Sequence, residues 1–85
     1  MNQLQALRDT IDLAEAHGMP ELPDSPIGLQ HLRDMLGEVD KANSATPFSA
    51  SKLGRWLGWA QCALVAADVG VTLDDMKALN MKYAD

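Results

Sequence analysis

The sequence predicts an all-α fold, a small antiparallel bundle of about four helices that assembles through the third. Three observations carry this expectation. Apolar residues recur at three- and four-residue spacing in segments separated by Gly and Pro. No segment shows sustained period-two alternation with β-branched residues. The stretch Lys52–Asp68 is apolar almost all the way round, and a helix of that kind must be covered on every side. That makes the third helix the expected centre of the bundle and the expected contact with a second copy.

The helices are expected near residues 3–17, 26–42, 48–69 and 73–83. In the first, Leu4, Leu7, Ile11 and Ala14 form one stripe, Asn2 caps the start and Gly18 ends it. Pro20 and Pro23 then forbid a continuing helix. Ser25-Pro26 reads as a cap followed by a first-turn proline. Behind it Leu29, Leu32, Leu36 and Val39 make a stripe with Met35 beside it. Gly28 and Gly37 fall inside this second helix, where Gly is tolerated best if another backbone comes close. Asn43–Pro47 reads as a turn with a second cap-plus-proline signal at Thr46-Pro47, and the third helix starts at Pro47, Ser49 or Ser51. Leu53, Trp56, Leu57, Ala60, Leu64 and Ala67 share one face of it. Gly54, Gly58, Cys62 and Ala66 repeat every four residues on another, a flat groove that lets a second helix approach. With Val65 they are the expected oligomer interface. Gly70 is the expected C-cap, Thr72 the N-cap of a near capping box with Asp75, and Leu73, Met76, Leu79 and Tyr83 the last stripe.

Composition narrows the function. The 85 residues make a single domain, residues 1–85. A domain of that size buries only about 60% of its unfolded surface and is marginal alone. A net charge of −5 argues against general DNA or RNA binding, which needs a cationic face. The start of the chain, Met1–Gln5, lacks the basic and apolar regions of an export signal. No apolar run approaches the roughly 20 residues that cross a bilayer. The expectation is a cytoplasmic protein with no membrane partner.

Chemistry has few footholds. The single Cys62, in an apolar run without a neighbouring His, reads as a small core residue. His31, Asp34 and Glu38 could share a face and hold a metal, but this spacing is common by chance and a solvated face is the simpler reading. Asp74-Asp75 is explained by the first turn of a helix. Magnesium-dependent nucleotide enzymes of all-helical type cluster glutamates on adjacent helices, whereas Glu15, Glu21 and Glu38 are widely separated here. No catalytic residue, metal ligand or cofactor is expected. The best candidate site is the basic-aromatic edge Lys52, Arg55 and Trp59, with Arg55 and Trp59 four residues apart. Arg stacks on indole, and such a set could hold a base by stacking and a phosphate by charge. The bland alternative has Arg55 lying over the tryptophans and Lys52 reaching solvent.

Arg55-Trp-Leu-Gly-Trp-Ala-Gln61, a hydrophobic run, then Gly70-Val-Thr-Leu-Asp-Asp-Met-Lys-Ala-Leu-Asn80 resembles the C-terminal half of small proteins of tailed bacteriophages and prophages. The resemblance covers residues 52–84, and Cys62 stands where those proteins often have Gly. It implies an accessory protein acting in the host cytoplasm against host defence or metabolism, and brings no activity with it. The expected function is non-enzymatic binding by a homo-oligomer of a host protein or a small phosphorylated ligand. The alternatives are a magnesium-dependent enzyme of nucleotide metabolism and a structural part of a virion.

Overall fold

The computed structural model describes residues 1–42 and 47–85. It contains four helices and, among the described residues, no strand: α1 (Gln3–Ala16), α2 (Leu29–Lys41), α3 (Ala50–Ala66) and α4 (Leu73–Lys82). The all-helical bundle expected from the spacing is therefore present. Its hub is α1 and not α3, because α1 is the helix that packs extensively on each of the other three. The reason lies in which residues are small. Ala6, Thr10 and Ala14 of α1 are fully buried, so neighbouring backbones can come close along its whole length. Leu7, Ile11, Leu32, Leu57, Ala60, Leu64 and Met76 complete the core around it. Of the expected stripe residues, Leu4, Leu36, Leu53, Trp56, Ala67 and Leu79 are only partly buried and Leu73 is 61% exposed. The molecule measures 37 × 31 × 18 Å, a slab about two helix layers thick.

Several ends follow the local sequence. The side-chain oxygen of Asn2 accepts from the Gln5 amide at 3.1 Å, and Ser49 Oγ accepts from the Lys52 amide at 3.1 Å. Thr72 and Asp75 make a full capping box, each side chain accepting from the other's amide. Gly18 takes φ +69 just beyond α1. The Thr46 cap and most of the Asn43–Pro47 turn lie outside the described residues.

Two ends differ from expectation. Helix α2 starts at Leu29 and not at Ser25-Pro26. Ser25 Oγ instead accepts from the Ile27 amide, and the Gly28 amide donates to Ser25 O, closing a turn. The first amides of α2, those of Leu29 and Gln30, donate to the carbonyls of Pro20 and Glu21 at 2.9 and 3.2 Å, so the preceding loop caps the helix. Gly28 is needed because a Cβ there would stand 2.6 Å from Leu22 Cβ and 2.7 Å from Leu22 O. Gly37, by contrast, faces open space, so no close backbone accounts for it. Helix α3 ends at Ala66, and the left-handed position after it is taken by Asp68 (φ +56), with Gly70 (φ +95) turning the chain only afterwards. Asp tolerates that conformation better than most residues.

Polar ties fix the slab's edges. Gln61, buried in α3, exchanges two hydrogen bonds with the Asn80 amide group of α4 at 2.8 and 3.0 Å, and donates to Thr10 Oγ1 at 3.3 Å. Arg8 pairs with Asp40, and Arg33 gathers Glu15 and Glu21. Asp9 accepts from the Tyr83 hydroxyl and from Gln5 Nε2, and these bonds hold its carboxyl below the usual carboxylate range while pushing the Tyr83 phenol up. Among the described residues, no helix is long and apolar enough to cross a membrane.

Candidate functional site

Helix α3 turns its apolar side to α1 and leaves Arg55, Gly58, Trp59, Cys62 and Ala66 exposed. Two concave surfaces meet along this outer side. A cleft of about 300 Å³ between α2 and α3 is lined by His31, Met35, Arg55, Trp56 and Trp59. A groove of about 360 Å³ between α3 and α4 has Gly58, Cys62 and Val65 on its floor and Leu73, Met76 and Lys77 on its far bank.

The cleft contains two of the three residues of the basic-aromatic edge. Trp59 is 46% exposed, and its indole N–H donates to Pro26 O at 2.9 Å, which fixes the ring against the loop before α2. Arg55 has no ion-pair or hydrogen-bond partner among the described residues, and no Arg55–Trp59 stack is formed among them. The cation that covers an indole is Lys52, whose ammonium stands 4.3 Å from the Phe48 ring centre and 5.2 Å from that of Trp56. Phe48 and Trp56 meet edge to face with centroids 4.8 Å apart. This aromatic cradle holds Lys52, which is not among the residues lining the cleft. A guanidinium that no carboxylate neutralises among the described residues, beside an imidazole and two indoles, suits an anionic ligand with a planar ring.

The expected interface residues also divide. Gly58, Cys62 and Ala66 are exposed and Val65 half-buried, all on the α3–α4 groove. Gly54 instead faces α1, where an added Cβ would stand 2.9 Å from Gln3 Nε2. Cys62 is an exposed residue and not the core residue its apolar neighbours suggested. It faces outward because α3 has a single broad neighbour, α1, and Cys62 lies on the side away from it.

His31, Met35 and Trp56 complete the cleft without having been grouped in the sequence reading. His31 and Met35 lie four apart on one face of α2, so their shared orientation was legible, but only tertiary packing sets that face against Trp56 of α3. The acids that converge do so on a cation: Glu15 and Glu21 both bond Arg33, at 3.1 and 2.5 Å, and raise its affinity for its proton. Asp34 accepts from Gln30 and Glu38 pairs with Lys41, so the His31–Glu38 face is a surface of local pairs. Among the described residues, no group of three potential metal ligands comes together. No protein-family model matches this chain, and no curated protein or solved structure matches it either.

Proposed function

We propose that the protein is a non-enzymatic binding protein of phage type that sequesters a host factor in the host cytoplasm and works as a homo-oligomer. The factor that the α2–α3 cleft suits best is a small phosphorylated molecule with a planar ring, a nucleotide signal. One observation carries this reading: Arg55, unpaired among the described residues, lies beside His31 and the indoles of Trp56 and Trp59 in a cleft of about 300 Å³. Arg supplies charge and forked donors for a phosphate, and an indole supplies a stacking surface for a base. The size of the cleft is at the small end of ligand pockets. The convergence of Glu15 and Glu21 on a guanidinium, where a magnesium enzyme would leave such carboxylates open, supports binding over hydrolysis.

A second reading, a host protein as the target, is supported by the exposed apolar side chains Leu73 and Met81 on α4. Calorimetric titration with linear and cyclic nucleotides, with nucleosides and inorganic phosphate as controls, separates the two. The proposal expects saturable binding of at least one nucleotide, unchanged nucleotide on recovery, and a loss of tenfold or more in Arg55→Ala. Absence of binding by every nucleotide at millimolar concentration would leave the protein-target reading. Turnover of the nucleotide would contradict a non-enzymatic role.

A further inference from the structure

We infer that the outer face of α3 is seated on the same face of a second copy, antiparallel, about a two-fold axis at Cys62. The inference rests on the homo-oligomeric part of the proposed function and names the surface and the orientation.

At 3.6 residues per turn, Arg55, Gly58, Cys62 and Ala66 fall within one narrow side of the helix. All four are exposed. A Cβ added at Gly58 would meet nothing within 4 Å among the described residues, so that position of the row is open. The surface is also continuous. Cys62 and Ala66 line both the α3–α4 groove and a neighbouring hollow reached by Ile27 and Trp59. Its banks are large and apolar, with Leu73 61% and Ile27 51% exposed. Small side chains along α3 let a facing helix approach closely, and the exposed apolar side chains Leu73 and Ile27 flank that approach.

Symmetry and charge both favour a second copy as the occupant. Gly58 and Ala66 lie four residues to either side of Cys62, so an antiparallel copy centred there sets each small residue against a small residue, as a two-fold interface requires. Helix α3 carries no acid, and its cations, Lys52 and Arg55, lie in its N-terminal third. Asp68 follows its C-terminal end and Asp74 opens α4. Antiparallel pairing brings the cationic end of one copy to the acidic end of the other, and it opposes the two helix dipoles favourably. Parallel pairing would set like ends together. The attraction is between ends and not a fixed ion pair, so Arg55 stays at the mouth of the α2–α3 cleft.

The position of Cys62 gives a direct test, since two thiols beside a two-fold axis come within bridging distance. Diamide, which takes two electrons and two protons from a pair of thiols, is added to the purified protein at tens of micromolar. Cross-linking is followed as a species of twice 9.2 kDa. The control is the double variant Cys62→Ser/Glu38→Cys, whose thiol sits on an exposed α2 position. Sedimentation of wild type and of Ala66→Arg runs in parallel, with circular dichroism melts to show that the variant folds. The pairing predicts cross-linking through Cys62 at least tenfold faster than through the relocated thiol of the control, and a folded Ala66→Arg monomer. Equal cross-linking rates, or an assembly that survives in Ala66→Arg, would overturn it. A wild-type monomer that still binds nucleotide would overturn the pairing and leave the ligand reading standing. Selective Cys62 cross-linking without nucleotide binding would do the reverse.

Discussion

The two sides of α3 differ in residue size and in what they meet. The inner side, with Leu57, Ala60 and Leu64, is sealed against α1. The outer side, with Gly58, Cys62 and Ala66, lies open between apolar banks. What separates them is placement relative to α1, the helix that α3 packs on most broadly among the described residues. The outer row is exposed among the described residues, and the proposed contact with a second copy falls there, while the inner side forms the seam with α1.

Substitutions that sharpen this contrast should differ most in their effect on the melting of the chain. Leu32→Ala, in the fully buried core, is expected to destabilise by about 2–5 kcal/mol in denaturant titrations, since it removes buried methyl groups and leaves a cavity. Gly28→Ala should cost about 1–3 kcal/mol, the usual range for overpacking, because the added methyl meets Leu22 at 2.6 Å. Its melt would test whether the loop, and not Ser25-Pro26, caps α2. Gln61→Ala removes both hydrogen bonds that tie the Asn80 amide to α3, while Thr10 keeps its bond to the Ala6 carbonyl, and it is expected to cost about 1–3 kcal/mol. A neutral result there would mean that the apolar contacts of Met76 and Leu79 and the Asp9–Tyr83 bond hold α4 without Gln61. On the outer face the expectation reverses. Leu73→Ser should move the melt of the isolated chain by no more than about 0.5 kcal/mol, while weakening self-association in sedimentation. A large loss of chain stability would show that the outer face is part of the core after all.

The smallest expected effect is one of pH. Asp9 is held below the usual carboxylate range chiefly by the Tyr83 hydroxyl and then by Gln5, and Asp75 is held low by the Thr72 amide and hydroxyl. The stability that these two groups contribute is present above about pH 4, the ordinary carboxylate value, and is lost as pH falls through their lowered folded values. Tyr83 is shifted the other way by Asp9, so its contribution is present below about pH 10 and fades as pH rises through its raised folded value. Tyr83→Phe should therefore flatten both limbs of a plot of melting temperature against pH. Unchanged limbs would show that the Asp9–Tyr83 contact does not persist in solution.

The four helices were legible because Leu7, Ile11, Leu32, Val39, Leu57, Leu64 and Met76 sit at helical spacing, and because Asn2, Ser49 and Thr72 cap through neighbours three residues away. What could not be read depends on partners distant in the chain. The start of α2 is set by the carbonyls of Pro20 and Glu21, which outcompete the local cap signal at Ser25. Gln61 is polar within an apolar run, and the hydrogen bonds that satisfy it come from Asn80 on another helix. Cys62 sits among core-type neighbours in sequence, but its burial depends on which side of α3 meets α1, and that is set by packing between helices. In the candidate site, Arg55 and Trp59 were legible as a pair on one edge. Lys52 was diverted by Phe48 and Trp56, and His31 entered only through the packing of α2 beside α3.

The measurement that bears most directly on the two-sided reading of α3 is sedimentation velocity on wild type and Cys62→Arg across micromolar to tens of micromolar concentrations. Helicity and melting are recorded on the same samples. The account predicts that wild type sediments as an assembly heavier than 9.2 kDa, and that the variant keeps its helicity and sediments as the single chain. A wild-type chain that sediments at 9.2 kDa throughout the range would contradict it.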